Sequence, residues 1–256
     1  MNLTFSGTTF LLALYLQDAR GYDPVAAGLV LLPLTVTLLG FLPVGVRLER
    51  RTDAGPPIVI GLAVMALASV LLGFLVPDWN HPVVTGALLL FGIGVGLMST
   101  PVTDAGVGQA SGIPEPLAGM ASGVFKMSSM LGSALGAALF TAATKLFTTD
   151  TAVDEARAAG LSDQQLTTLR DALVDSKLAQ RILSSLSPDV RERVTDAAHQ
   201  AFTSGVATTI KAAALVALVA AGLVMVLWPR PAGHTIGAMA RMGSLVRFRR
   251  RAPTTR

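Results

Sequence analysis

Residues 25–46 read VAAGLVLLPLTVTLLGFLPVGV, an uncharged run framed by Asp23 on one side and Arg47 on the other. A helix rises about 1.5 Å per residue, so roughly 20 apolar residues cross a hydrocarbon core about 30 Å thick. This run meets that length without a single ionisable side chain. Working outward, further uncharged runs occupy residues 1–17, 54–77, 79–103, 127–144 and 212–229. Most of them are long enough to span. The first is short, and natural sequence is expected to precede Met1. The chain is predicted to be an all-α polytopic membrane protein with six spans.

Composition agrees. Hydrophobic residues make up 52% of the chain and charged residues 14%, with a mean hydropathy of +0.59. A soluble domain carries about a quarter of its residues as charge, so a soluble fold is excluded. With no Cys, neither a disulfide framework nor a thiolate metal site is possible. His81, His199 and His234 are scattered without ligand spacing, so no metal and no bound cofactor is expected. No nucleophile and base stand together, and no enzyme activity is predicted. The net charge of +4 does not point to nucleic acid, because the basic residues gather at the ends of spans. Residues 1–17 lack a basic leading segment and a following cleavage pattern, so they are not a secretory signal.

The charges also orient the spans. Arg47, Arg50 and Arg51 cluster after the second run, and the tail carries Arg230, Arg241, Arg247, Arg249, Arg250, Arg251 and Arg256 with no acid. Lys and Arg beside span ends mark the cytoplasmic face. Both termini are therefore expected inside, at a plasma membrane of bacterial inner-membrane type. The segment 105–119 should also be inside, but it has no Lys or Arg to support that. Residues 148–203 hold six basic and nine acidic side chains and fall outside, where long loops escape the charge rule. The organisation predicted is spans one to five over 1–147, an extracytoplasmic helical insertion over 148–203, span six over 204–229 and a basic cytoplasmic tail over 230–256.

Within the insertion, Ser162 followed by Gln165 resembles a capping box ahead of Leu166, Leu169, Leu173 and Leu178. Ser187-Pro188 is a second helix start, a cap with Pro at the first helical position. Two or three amphipathic helices are expected there; the alternative is a partly disordered linker. Pro33 and Pro43 punctuate span two and Pro101 sits near the end of span four. Each removes a backbone donor and permits a kink if neighbours satisfy the freed carbonyl. Span four holds Gly92, Gly94 and Gly96. These do not form a dinucleotide loop, which needs a preceding strand and a following acid. Gly119/Gly123 and Gly132/Gly136 have the four-residue spacing that lets helix backbones approach closely, whether for sliding or for static packing.

Two blocks of sequence carry a family resemblance. The first is Tyr15-Leu16-Gln17, Gly21-Tyr22-Asp23-Pro24, Ala27-Gly28-Leu29 and Leu32-Pro33; the second is Pro114-Glu115, Ala118 to Val124, Leu131-Gly132 and Ala134-Leu135-Gly136. Together they resemble the C-terminal half of major facilitator superfamily transporters, in the fourteen-span drug:proton antiporter branch. The resemblance covers roughly residues 10–140. It implies two six-span bundles around a central cavity with the substrate site at the midplane, of which this chain supplies one. It also implies that the acids coupling transport to protons lie mainly in the other, N-terminal half. A cytoplasmic turn of the form Gly-Arg-Leu-Ala-Asp-Arg, with Gly following, is common in the family. This chain has Val46-Arg47-Leu48-Glu49-Arg50-Arg51-Thr52-Asp53. Arg47, Leu48 and Arg51 match, whereas Arg50 holds the acid position and Val46 and Asp53 hold the glycine positions. Glu49 or Asp53 substitutes for the gating acid, or the cluster is a positive-inside anchor.

Ionisable groups near spans are costly and mark candidate sites. Asp104 at the end of span four and Lys126 early in span five are expected either to meet as an inner gate or packing pair, or to reach the headgroups separately with Lys126 snorkelling. Gln17 lines a cavity mouth or caps the interface. Met98, Phe125, Met127 and Met130 offer adaptable surface for apolar ligands, or face lipid and neighbouring helices. The arginine tail is expected to meet anionic lipid. The expected function is the C-terminal half of a secondary transporter that exports small amphipathic compounds by alternating access, driven by a proton gradient. Its partners are the lipid bilayer, the amphipathic substrate, and the missing N-terminal half or a second copy. The alternative is a non-transporting remnant or accessory half that binds a partner subunit.

Overall fold

The computed structural model describes residues 1–77, 81–108, 113–158 and 188–228. Those residues form six long helices: α1 (Asn2–Asp18), α2 (Pro24–Thr52), α3 (Gly55–Leu75), α4 (His81–Val107), α5 (Ala118–Ala158) and α6 (Pro188–Leu227). A single 3-10 turn, Glu115–Leu117, leads into α5. Stretches within α2 to α6 are each long and apolar enough to cross a bilayer. α1, with 17 residues, rises only about 26 Å and falls short of the hydrocarbon thickness. The chain is thus an all-helical polytopic membrane protein. Its compact unit is Met1–Met225; a second unit begins at Val226, of which α6 contributes its last residues to Leu227.

Helix boundaries follow local chemistry. Pro24 and Pro188 each open a helix, where a missing N–H is harmless. α6 therefore starts at the Ser187-Pro188 signal but continues straight into the last span. α2 runs past its apolar segment through Arg47–Thr52, because Arg, Leu and Glu are good helix formers. Asp53 then ends it with φ 79°. Pro33, Pro43 and Pro101 all lie inside helices, as the sequence predicts. The Ser162 capping box and the arginine tail lie outside the described residues.

The packing is set by glycines at crossings. α2 and α4 run parallel, with Leu34 and Thr37 against Gly92, Leu38 and Phe41 against Gly96, and Gly45 against Leu97. A Cβ at Gly96 would lie 2.5 Å from the Leu38 carbonyl oxygen, so only glycine admits this approach. The Leu97 carbonyl is the one Pro101 leaves without its helical donor, and Gly45 brings α2 directly onto it. α3 crosses the other face of α4 antiparallel, with Gly61 and Gly94 each closing on the other's carbonyl. α1 and α5 form a second parallel pair, in which Gly136 closes on the Leu3 carbonyl and Gly7 on the Phe140 ring. α6 joins through a buried Thr144–Thr209 hydrogen bond of 3.0 Å and a cluster of Leu11, Phe140 and Ala213. Lys211 of α6 lies over Phe74 near the end of α3, 4.1 Å from the ring centre.

Candidate functional site

Two places on the bundle carry the chemistry read from sequence, both at the ends of α2 and α4 and the start of α5. At the first, Glu49 at the end of α2 and Asp104 at the end of α4 lie close enough for the Asp104 charge to bear on the Glu49 carboxyl. Glu49 Oε1 is enclosed and has no hydrogen-bond partner among the described residues. Arg50 bears on the same carboxyl, while Arg47, Arg50, Arg51 and Asp53 stay exposed around the turn. The acid that Asp104 meets is therefore Glu49. Lys126 is exposed on α5.

The second place is an apolar groove of about 420 Å³ between the end of α4 and the start of α5, lined by Gly106, Ile113, Met120, Ala121, Val124 and Phe125. The Phe125 ring packs over Gly106, which has no side chain to displace it. Of the residues proposed from sequence to line a cavity, Phe125 alone lines this groove. Met127 and Met130 are exposed on α5. Met98 is fully buried against Gly61 and is a packing residue, because α3 crosses α4 at that point. Gln17 is exposed at the end of α1, where its Nε2 donates to the Ala13 carbonyl at 3.2 Å.

The glycine pairs divide. Gly136 is closed on Leu3 and Gly132 is in ordinary contact with Asn2 and Leu3, whereas Gly119 and Gly123 meet open space among the described residues. The tight seam on α4 uses Gly92, Gly94 and Gly96 instead, whose alternate-residue pattern in an apolar run was the readable signal. At the opposite end of the bundle, Tyr15 donates to the Val76 carbonyl (2.8 Å) and accepts from Arg20 Nε (3.0 Å). Tyr22 and His81 lie 3.3 Å apart there, tying the α1–α2 turn to the start of α4.

Residues 1–137 match the Major Facilitator Superfamily, more than half of the 256-residue chain. The chain belongs to that superfamily. Superfamily membership makes it a multi-pass membrane protein of a transporter family rather than an enzyme. It is 27% identical over 228 residues to a tetracenomycin C resistance and export protein of Streptomyces glaucescens, a match covering 88% of this chain and 41% of the relative. It is 29% identical over 137 residues to the quinolone resistance protein NorB of Staphylococcus aureus, covering 52% of this chain and 29% of that protein. The chain thus spans less than half the length of the curated relatives it matches. In this superfamily member, the turn position where the common pattern has Gly is Asp53, and its positive φ is the backbone that favours glycine.

Proposed function

We propose that this chain is the C-terminal six-span bundle of a longer secondary transporter of the fourteen-span drug:proton branch. It exports small amphipathic compounds by alternating access, with proton influx as the driving force. The observation that carries this reading is the kinship over 88% of the chain with a protein named for resistance and export. The open faces give physical support. α2 exposes Val25, Leu29, Leu32 and Val36, and α5 exposes Met127, Met130 and Leu131; half of the α3 and α4 spans is buried, against 11% of α2 and 17% of α5. The missing N-terminal half, or a second copy, covers the exposed faces of α2 and α5, and lipid covers the rest.

In this reading the groove beside Phe125 receives the apolar part of a substrate, and the arginine turn and tail hold both termini at the cytoplasmic face of a bacterial inner membrane. Residues 148–203 then lie outside. The test is dye efflux from cells expressing the chain, alone and within its longer protein, with and without a protonophore. Efflux by the longer protein that the protonophore abolishes is the expected result. Efflux by the chain alone would favour the second copy over the missing half. A complete protein that moves no dye contradicts the reading and leaves a non-transporting accessory half.

A further inference from the structure

Between Gln200 and Leu227, the membrane-crossing stretch of α6, the only charged residue is Lys211. An ionisable group within a span is costly and normally has a partner. The Lys211 stem crosses α3 at Gly73, where an added Cβ would strike it, and the ammonium sits over the Phe74 ring. Gly55–Leu75 of α3 holds no acid, and neither does Gln200–Leu227, so the two helices that frame Lys211 supply no counter-charge. A ring face attracts a cation but does not neutralise it.

The residues along the α3–α6 seam fall in a definite order. Gly73 and Phe74 lie in the last turn of α3, which puts Lys211 at the headgroup boundary, at the end opposite the arginine turn. A helical side chain leans toward its own N-terminus, and for Lys211 that is toward this surface. One turn farther out, Pro77, Gln200, Thr203 and Ser204 line a recess of about 380 Å³ that Tyr15 and Arg20 complete. Hydroxyl, amide and guanidinium groups face it, and Arg20, whose Nε donates to Tyr15, adds a second positive charge. In the other direction the seam is apolar. Leu67 and Leu71 on the Phe74 face of α3 are exposed, as are Leu215 and Leu218, four and seven residues beyond Lys211 on α6. Polar recess, cation and apolar strip follow one another as the headgroup, phosphate and acyl chain of a phospholipid do.

We infer that this seam holds an anionic phospholipid, with its phosphate on Lys211, its headgroup in the recess beside Arg20 and one acyl chain along the leucines of α3 and α6. In the orientation proposed above the lipid belongs to the outer leaflet. The site needs only a bilayer, so it stands or falls separately from the export reading.

Native mass spectrometry of the full chain in detergent tests this with phosphatidylglycerol and phosphatidylcholine of the same acyl chains. The wild type is expected to retain phosphatidylglycerol in preference. A basic residue near a membrane surface contributes about 1 kcal/mol toward anionic lipid, so Lys211→Gln should lose about fivefold of that preference, and Lys211→Arg should keep it. Soluble glycerophosphate should displace none of the bound lipid, because it has no chain for the apolar strip. A wild type without preference overturns the proposal. So does a Lys211→Gln chain that keeps the full preference, which would place the lipid on the arginine turn and tail instead. Displacement by glycerophosphate also overturns it, leaving a site for a free anion. Should Lys211→Gln fail to insert, a photoreactive benzoylphenylalanine in place of the exposed Thr208 decides. Crosslinks to phosphatidylglycerol over phosphatidylcholine support the seam, and equal labelling overturns it.

Discussion

The α2–α4 and α1–α5 pairs are both parallel, both pinned by glycine, and yet built to different tolerances. Along α2–α4, Gly92, Gly96 and Gly45 each meet a backbone carbonyl of the facing helix. Along α1–α5, one glycine, Gly136, meets a backbone carbonyl and another, Gly7, meets chiefly the Phe140 side chain. Pairing the second helix with the fourth, and the fifth with the first, is the relation expected of two three-helix repeats inserted in opposite senses. The repeats share a plan but not a fit. Backbone against backbone has no rotamer to yield, so α2–α4 is the rigid pair and α1–α5 the adaptable one.

The sharpest way to break that contrast is Gly96→Leu. Overpacking typically costs about 1–3 kcal/mol, and here a backbone blocks relief, so a loss near or above about 3 kcal/mol is expected in detergent unfolding followed by circular dichroism. Gly7→Ala at the α1–α5 pair should lose less, about 1–2 kcal/mol, since the group it meets first is the Phe140 side chain. A loss at Gly7 equal to that at Gly96 would erase the distinction. Asp53→Gly acts in the other direction. Its φ of 79° and ψ of 172° suit glycine alone, and relieving such a residue should raise stability by about 1 kcal/mol, read as a higher melting temperature.

Much of this was legible in the sequence. Uncharged runs located the spans, Pro188 marked the start of α6, and Pro33, Pro43 and Pro101 were placed inside helices. The resemblance carried by Tyr15 to Pro33 and Pro114 to Gly136 pointed to the superfamily. The seams were not legible, for a physical reason. Gly92/Gly96, Gly119/Gly123 and Gly132/Gly136 share one spacing, and each offers a helix the same close approach. Which of them is used depends on which helices the bundle makes neighbours, and that is not a local property. The same holds at the acid corner: nothing local in the sequence relates Asp104 to Glu49, and the α2–α4 register brings them near. Of the two roles the sequence left open for Met98, a packing contact with a neighbouring helix is the one at the α3–α4 crossing, where it is buried against Gly61.

The account rests on the contrast between a closed seam on α4 and an open face on α5, the face proposed to receive a second bundle. Its most direct test is the unfolding free energy of Gly123→Leu, measured in the same detergent as Gly96→Leu. With open space at Gly123, the change should fall within about 0.5 kcal/mol of wild type, as for substitutions away from packed features. A loss at Gly123 comparable to that at Gly96 would contradict the account, because it would mean that α5 is already sealed within this chain.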